Sequence, residues 1–262
     1  MDPTRNDQAG AAGASAADRV AVVGAGRVGV PLAAGLRAAG LTVEGPLERG
    51  ERPAACDAVV LCVPDAEISA AAGVVAGAAP LVGHTSGATP LRALDPANAE
   101  AFGLHPLQTF AAGSGPETFS GAGAAVAGST ARALDVAIFL AERLGMTPFQ
   151  IDDDGRAAYH AAASIASNFL VTLQAAAEAV AAGAGLAPSE ARALLMPLVR
   201  RTLENVAELG PEAALTGPVA RGDEPTVSAQ RAAVEEAVPH LLDLFDELVH
   251  HTRALASEAV RR

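Results

Sequence analysis

Apolar positions along the chain fall into two textures. Up to about residue 152 they form short runs separated by stretches with helical spacing. The run 19–23 (RVAVV) is apolar and β-branched, as a strand buried on both faces must be. Similar runs predict strands near 41–45, 58–63, 80–84, 101–105, 123–127 and 147–151, with helices over 27–39, 65–78 and 130–144. Gly40 closes the first helix and Pro64 the third strand. Such alternation predicts a doubly wound parallel sheet. After Asp152-Asp153-Asp154 the strand pattern ceases. Ala- and Leu-rich segments with helical spacing cover about 155–184, 188–209 and 228–258, with a turn-rich piece at 216–225. Pro188-Ser189-Glu190 reads as a helix start, and Gly183 and Gly185 as the stop before it. The expected organisation is an α/β domain over 18–152 and an all-α domain over 153–262, behind an Ala/Gly-rich tail at 1–17.

Between the first strand and the first helix lies Gly24-Ala25-Gly26-Arg27-Val28-Gly29. In that context the glycine spacing is a dinucleotide fingerprint, whereas alone it would be a mere turn in a Gly-rich chain. Gly24 permits the tight turn, Gly26 lets the backbone approach a pyrophosphate, and Gly29 lets the helix pack on the sheet. The helix N-terminus then attracts the phosphates. The first domain is therefore of the Rossmann type. Its expected cofactor contacts are Gly24, Ala25, Gly26, Arg27, Val28 and Gly29, with Val63 and Pro64 at the end of the third strand. Glu44 stands about where an acid would hold the ribose hydroxyls of NAD. Arg49 or Arg52, in the loop that follows, would instead pair with the 2′-phosphate of NADP. NADP is preferred over NAD, with either arginine as the contact.

Small molecules in open α/β sheets bind at the carboxyl ends of the strands. Two polar segments fall there: His84 and Ser86 after the fourth strand, and His105 and Thr109 after the fifth. Each reads equally as a cleft wall or as turn residues that cap helices. In the helical domain His160, Ser164 and Asn168 recur every fourth residue, one stripe on an otherwise apolar helix. Polar groups buried there need partners, either a neighbouring helix or a polar substrate. An imidazole donates a proton near neutrality, so the catalytic reading gives His160 that role, with Ser164 and Asn168 orienting substrate oxygens. Arg221, presented by a turn with Thr216, could grip a carboxylate bidentately, or could simply pair with Asp223.

Composition narrows the field. The net charge of −12 disfavours nucleic acid as a partner. No segment reads as about 18 consecutive strongly apolar residues, so no membrane span is expected. The N-terminal stretch lacks the pattern of a signal peptide, and Cys56 and Cys62 have neither disulfide nor zinc spacing. A cytoplasmic location and no metal follow as expectations. The 18 basic residues are all arginine, which excludes any mechanism built on a catalytic lysine.

Taken in order, VVGAGRVG, LCVPDAEI, HTSG, HPLQTF, YHAAASIASN and LTGPVARGD resemble a bacterial family that joins a Rossmann-like domain to a helical domain of formerly unknown function. The match spans most of residues 19–230, and its specificity lies in the order of short motifs. That family is similar in architecture to ketopantoate reductases, pyrroline carboxylate reductases and β-hydroxyacid dehydrogenases. The resemblance implies NADPH-dependent reduction of a small keto acid, foremost 2-dehydropantoate to pantoate in pantothenate biosynthesis. It also implies a homodimer through the helical domains and reinforces Arg49 as the NADP contact. One departure stands out: ordinary ketopantoate reductases and β-hydroxyacid dehydrogenases use a lysine on the first long helix of the second domain, where this chain carries His160. The proton donor must therefore differ. The alternatives are a reductase of another small acid, of pyrroline carboxylate or β-hydroxy acid type, and a non-catalytic NADP-binding regulatory protein.

Overall fold

The computed structural model describes residues 17–259. Of the tail expected at 1–17, only Ala17 falls within them, and it is buried in the core. The first elements are β1 (Arg19–Val23), α1 (Gly29–Ala38), β2 (Thr42–Leu47), β3 (Ala58–Leu61), α2 (Ile68–Val74) and β4 (Leu81–His84). They continue as β5 (Glu100–Leu107), β6 (Gly123–Gly128), α3 (Ala131–Arg143) and β7 (Thr147–Gln150). The seven strands form one sheet in the order β2-β1-β3-β4-β5-β6-β7. The chain winds from β1 out to β2 and then back across to β3, so the winding direction reverses beside β1. A crevice opens there at the carboxyl ends of the strands.

The expected sheet was wholly parallel, but β6 runs antiparallel to β5, with β7 parallel to β6. The reason lies in the connection. The segment between β5 and β6 carries only a 3-10 turn at Pro116–Phe119, and a parallel return would need a crossover helix. β2 also runs further than expected, to Leu47, through a cis Gly45–Pro46 peptide and a register shift against β1. Glu44 therefore lies inside the strand.

Both faces of the sheet are covered, which is why its central strands are apolar throughout. On one face Val20, Val22, Val60, Phe102 and Leu104 pack with Leu32 and Leu36 of α1 and Val136 and Leu140 of α3. On the other, Ala21, Val59, Leu61 and Val82 pack with Ile68, Ala72 and Val75 of the α2 segment and with Leu94. With few aromatic residues, Phe102 and Phe119 are the bulkiest fully buried side chains.

The chain divides into two compact units, the first ending at Ser164 and the second beginning at Ile165. This is later than the boundary expected near 152, because the first helix after the sheet, α4 (Arg156–Ala166), sends side chains into the sheet unit. Tyr159 packs edge-on to Phe149 of β7, with centroids 5.8 Å apart. The second unit comprises α5 (Asn168–Ala182), α6 (Pro188–Leu209), α7 (Pro211–Ala214), α8 (Pro218–Arg221), α9 (Glu224–Ala237) and α10 (Leu242–Ala259). The helix expected over 155–184 is thus interrupted at Ser167, where no glycine or proline accounts for the break. The one expected over 228–258 is broken by Pro239, which cannot continue the amide ladder. It also starts earlier, at Glu224, where Asp223 caps it by accepting from the Thr226 amide (3.2 Å). Leu173, Val180, Leu195, Leu241 and Phe245 line an apolar cavity of about 490 Å³ in this unit.

Against the expectation of no such segment, Arg156–Ala182 is long and apolar enough to cross a membrane, with a mean hydropathy of 1.3. Its first turns, however, belong to the sheet unit. The same stretch leaves Ile165, Phe169 and Val171 more than half exposed.

Truncating Phe102 to Ala removes the ring that fills the α1/α3 face of the sheet. Chemical denaturation should show a loss of about 3–5 kcal/mol in unfolding free energy.

Candidate active site

Parallel register fixes the geometry of the cleft. Val23, Leu61, His84 and Gly103 lie side by side on β1, β3, β4 and β5. The Gly24 turn, Cys62 and Thr85 follow the first three and form the carboxyl edge, and His105 stands two residues beyond Gly103 in β5. Gly24 has φ +108°, and a Cβ there would stand 2.3 Å from the Cys62 carbonyl oxygen. A Cβ on Gly29 would stand 1.9 Å from the Gly24 carbonyl oxygen. Both positions therefore exclude any side chain. Gly26, in contrast, has nothing within 4 Å of a built Cβ, so the turn has an open outer surface. No side chain caps α1, and no acid sits in its first turn. Val30 donates to the Gly26 carbonyl and Pro31 has no N–H, but the Ala25 to Gly29 amides have no acceptor among the described residues and are left for an external anion, with exposed Arg27 among them. Val63 packs against Gly24, and Pro64 follows it, exposed. Burial pushes the Cys62 thiol up to about 12, so it is inert here.

The Gly24 amide donates to the Leu47 carbonyl oxygen (2.8 Å), which ties the end of β2 to the turn. Arg49 follows, exposed, and pairs with Glu67. Arg52 points elsewhere: its guanidinium donates to the Val74 and Ala76 carbonyls at the end of α2. The Glu44 carboxylate accepts the Ala54 amide (2.9 Å) from its place within the strand. Of the two candidate arginines, Arg49 alone lies free of the α2 carbonyls. These features suit a dinucleotide, with the glycine turn for the pyrophosphate and Arg49 for a further phosphate.

The other end of the edge gathers imidazoles. His84 is fully buried, and its Nδ1 accepts the Ser86 amide (3.2 Å). His105 Nδ1 and Tyr159 Oη are 2.6 Å apart, and the His105 and His160 ring centroids 6.2 Å. A Cβ on Gly87 would meet His105 at 2.8 Å and His160 Cδ2 at 2.9 Å. Both rings therefore close on a bare backbone position. Burial, reinforced by the Arg156 charge, lowers His84 to about 4, against the pull of Asp65 and Asp153. Burial, then His160 and Arg156, lowers His105 to about 4 as well. Burial raises the Tyr159 phenol to about 12. Tyr159 and His105 are thus both neutral and share one hydrogen bond.

Residues 123–252 match the model of a family described as a domain of unknown function, DUF2520. No curated protein matches the chain. Among solved structures, protein TM1727 from Thermotoga maritima is 25% identical with TM-score 0.74, over 93% of this chain and 100% of that one. The candidate NADP oxidoreductase BF3122 from Bacteroides fragilis is 19% identical with TM-score 0.77, over 92% and 100%. A pyrroline carboxylate reductase from Plasmodium falciparum with NADP bound is 11% identical with TM-score 0.58, over 91% and 98%. These likenesses establish a Rossmann sheet followed by a helical region. The DUF2520 match begins at β6, so it holds Tyr159 and His160 but not the glycine turn, His84 or His105.

Of the residues expected at the site, the fold brings together His84, Ser86, His105 and His160. Ser86 serves the loop itself: its hydroxyl accepts the Ala88 and Thr89 amides and lies 3.0 Å from Thr89 Oγ1. Thr109 lies exposed beyond β5, with no contact to the cluster. The stripe His160, Ser164, Asn168 does not run along one unbroken helix: Asn168 opens α5 in the second unit. His160 and Asn168 are exposed, so the burial that would have demanded partners for them is absent. Thr216 and Arg221 also lie exposed in the second unit, around α8. The sequence reading passed over Arg156 and gave Tyr159 no role. Their signal was an arginine three and four residues ahead of Tyr159 and His160, on the same helix face.

Two depressed histidines make stability depend on pH. Between about 6.5 and about 4 the unfolded chain takes up protons that the folded chain refuses, so unfolding free energy falls as pH falls through that window. Each histidine acting alone would cost on the order of 3 kcal/mol by pH 4. Urea titrations from pH 7 to 4 should show a smaller loss in the His84→Gln, His105→Gln double variant than in the wild type.

Proposed function

We propose that the chain is an NADPH-dependent reductase of a small keto or imino acid, and that 2-dehydropantoate, reduced to pantoate, is the substrate to test first. One observation carries the reading: the uncapped glycine turn and the histidine cluster line the same carboxyl edge of one sheet. The fold shared with BF3122 and with the NADP-bound pyrroline carboxylate reductase supports it. So does that of an Aspergillus terreus reductive aminase in complex with NADPH, at 15% identity and TM-score 0.57.

In this reading Gly24 shapes the turn, the amides of Ala25 to Gly29 hold the pyrophosphate, and Val63 and Pro64 form a wall. Arg49 exchanges Glu67 for the 2′-phosphate, which sets NADP above NAD. Bound NADPH supplies a hydride. The chain supplies the rest. His105, its Nδ1 occupied by Tyr159, presents Nε2–H to polarise a carbonyl or imine. His160, against the same Gly87 backbone, gives the proton. The exposed Ile165, Phe169, Val171, Leu194 and Leu198 supply an apolar face for a second copy, in keeping with a homodimer.

NADPH fluorescence titration and NADPH oxidation test the two halves separately. Gly26→Ala meets no neighbour and should keep its stability, yet weaken NADPH binding by about ten-fold or more. Unchanged binding in that variant would remove the cofactor site. With 2-dehydropantoate, His160→Ala should lower kcat by roughly 10²- to 10⁴-fold. An unaltered kcat ends its role as proton donor. No turnover by the wild type ends the substrate assignment.

A further inference from the structure

Arg156 opens α4 with its side chain 5% exposed. Its Nε donates to Asp153 Oδ1 at 2.7 Å, and the Asp153 carboxylate also accepts the Leu91 amide at 3.2 and 3.3 Å. The guanidinium lies over Gly103 of β5, where a built Cβ would stand 2.8 Å from Nη2 and 3.6 Å from Nη1. Neither η nitrogen has an acceptor among the described residues. Beside Gly103, in register and on the same face, stands His84. Its Nδ1 accepts the Ser86 amide, so the neutral ring carries its proton on Nε2. Among the described residues that Nε2 is the one sealed side-chain nitrogen or oxygen without a partner. The unpartnered η nitrogens of Arg156 are not so sealed and therefore keep a small contact with solvent.

A buried cation with idle N–H groups, next to an idle imidazole N–H, is costly unless an acceptor arrives. Both histidines are neutral, and Asp153 is already engaged by Arg156 and Leu91. What complements this set is an acceptor-only, negatively charged, forked group. We propose that Arg156, together with His84 Nε2–H, binds the carboxylate of the substrate, a role the sequence reading gave to Arg221. The proposal rests on the small-acid reading above. Arg221 lacks such a setting: it is exposed at the end of a four-residue helix, and its neighbour Asp223 is taken up in capping α9.

The test measures calorimetric affinity for 2-oxoisovalerate and for its uncharged amide, with NADPH titrated separately. Arg156→Gln should weaken the acid on the order of 10- to 100-fold, leave the amide and NADPH unchanged, and so abolish the preference for acid over amide. Should Arg156→Gln fail to fold, Gly103→Ala replaces it. The three nearest atoms its Cβ meets are the two η nitrogens at the far end of a flexible arginine and a leucine methyl at 3.6 Å, so it displaces the guanidinium without removing its charge. Arg221→Gln should bind both compounds as the wild type does. The proposal is overturned if the wild type binds neither compound or both alike. It is also overturned if the variants at 156 and 103 keep the preference, or if Arg221→Gln loses it. A wild type that ignores NADPH defeats the reductase reading instead, while the acid-against-amide comparison on the same protein still decides Arg156.

Discussion

Close backbone contact at the glycine turn is the constraint on which the rest of the cleft depends. Gly24 can approach the Cys62 carbonyl, and Gly29 the Gly24 carbonyl, only because neither has a side chain. The Gly24 amide in turn holds the end of β2 through Leu47. These contacts draw α1 down onto the sheet and leave the Ala25 to Gly29 amides of the turn without an internal acceptor. With them relaxed, the helix start would lift from the strand ends, and the open surface at Gly26 would no longer face the crevice.

At the other end of the edge, electrostatics follows from one buried charge. Arg156 lies over Gly103 with a single carboxylate to hold it, and its field adds to burial in keeping His84 and His105 unprotonated. Of the three imidazoles at this edge, His105 and His160, 6.2 Å apart, would otherwise repel each other at mildly acid pH. Kept neutral, two of them act as directional N–H donors, while exposed His160 stands at the rim. Tyr159 completes the arrangement by tying down Nδ1 of His105 and leaving Nε2 facing the Gly87 backbone.

Much of the architecture could be read from the chain. The runs at 19–23, 58–63 and 80–84 became β1, β3 and β4 because parallel strands covered on both faces must be apolar throughout. The glycine fingerprint fell between β1 and α1, and the 188–209 helix matched its segment. The antiparallel turn from β5 to β6 was hidden, because strand direction depends on what connects the strands and not on their composition. The division of 228–258 was signalled by Pro239 and passed over.

Local pattern determined which segments are strands or helices and where a phosphate-binding turn belongs, since periodicity and glycine act over a few neighbouring residues. Only tertiary structure decided which polar side chains share a pocket. It gave Arg52 the Val74 and Ala76 carbonyls and Glu44 the Ala54 amide as partners, split the His160–Asn168 stripe at Ser167, and placed Arg156 beside His84, about 70 residues earlier in the chain. The reason is physical: burial, charge and hydrogen-bond partnership depend on distances in space, which strand register and helix packing set between residues far apart in sequence.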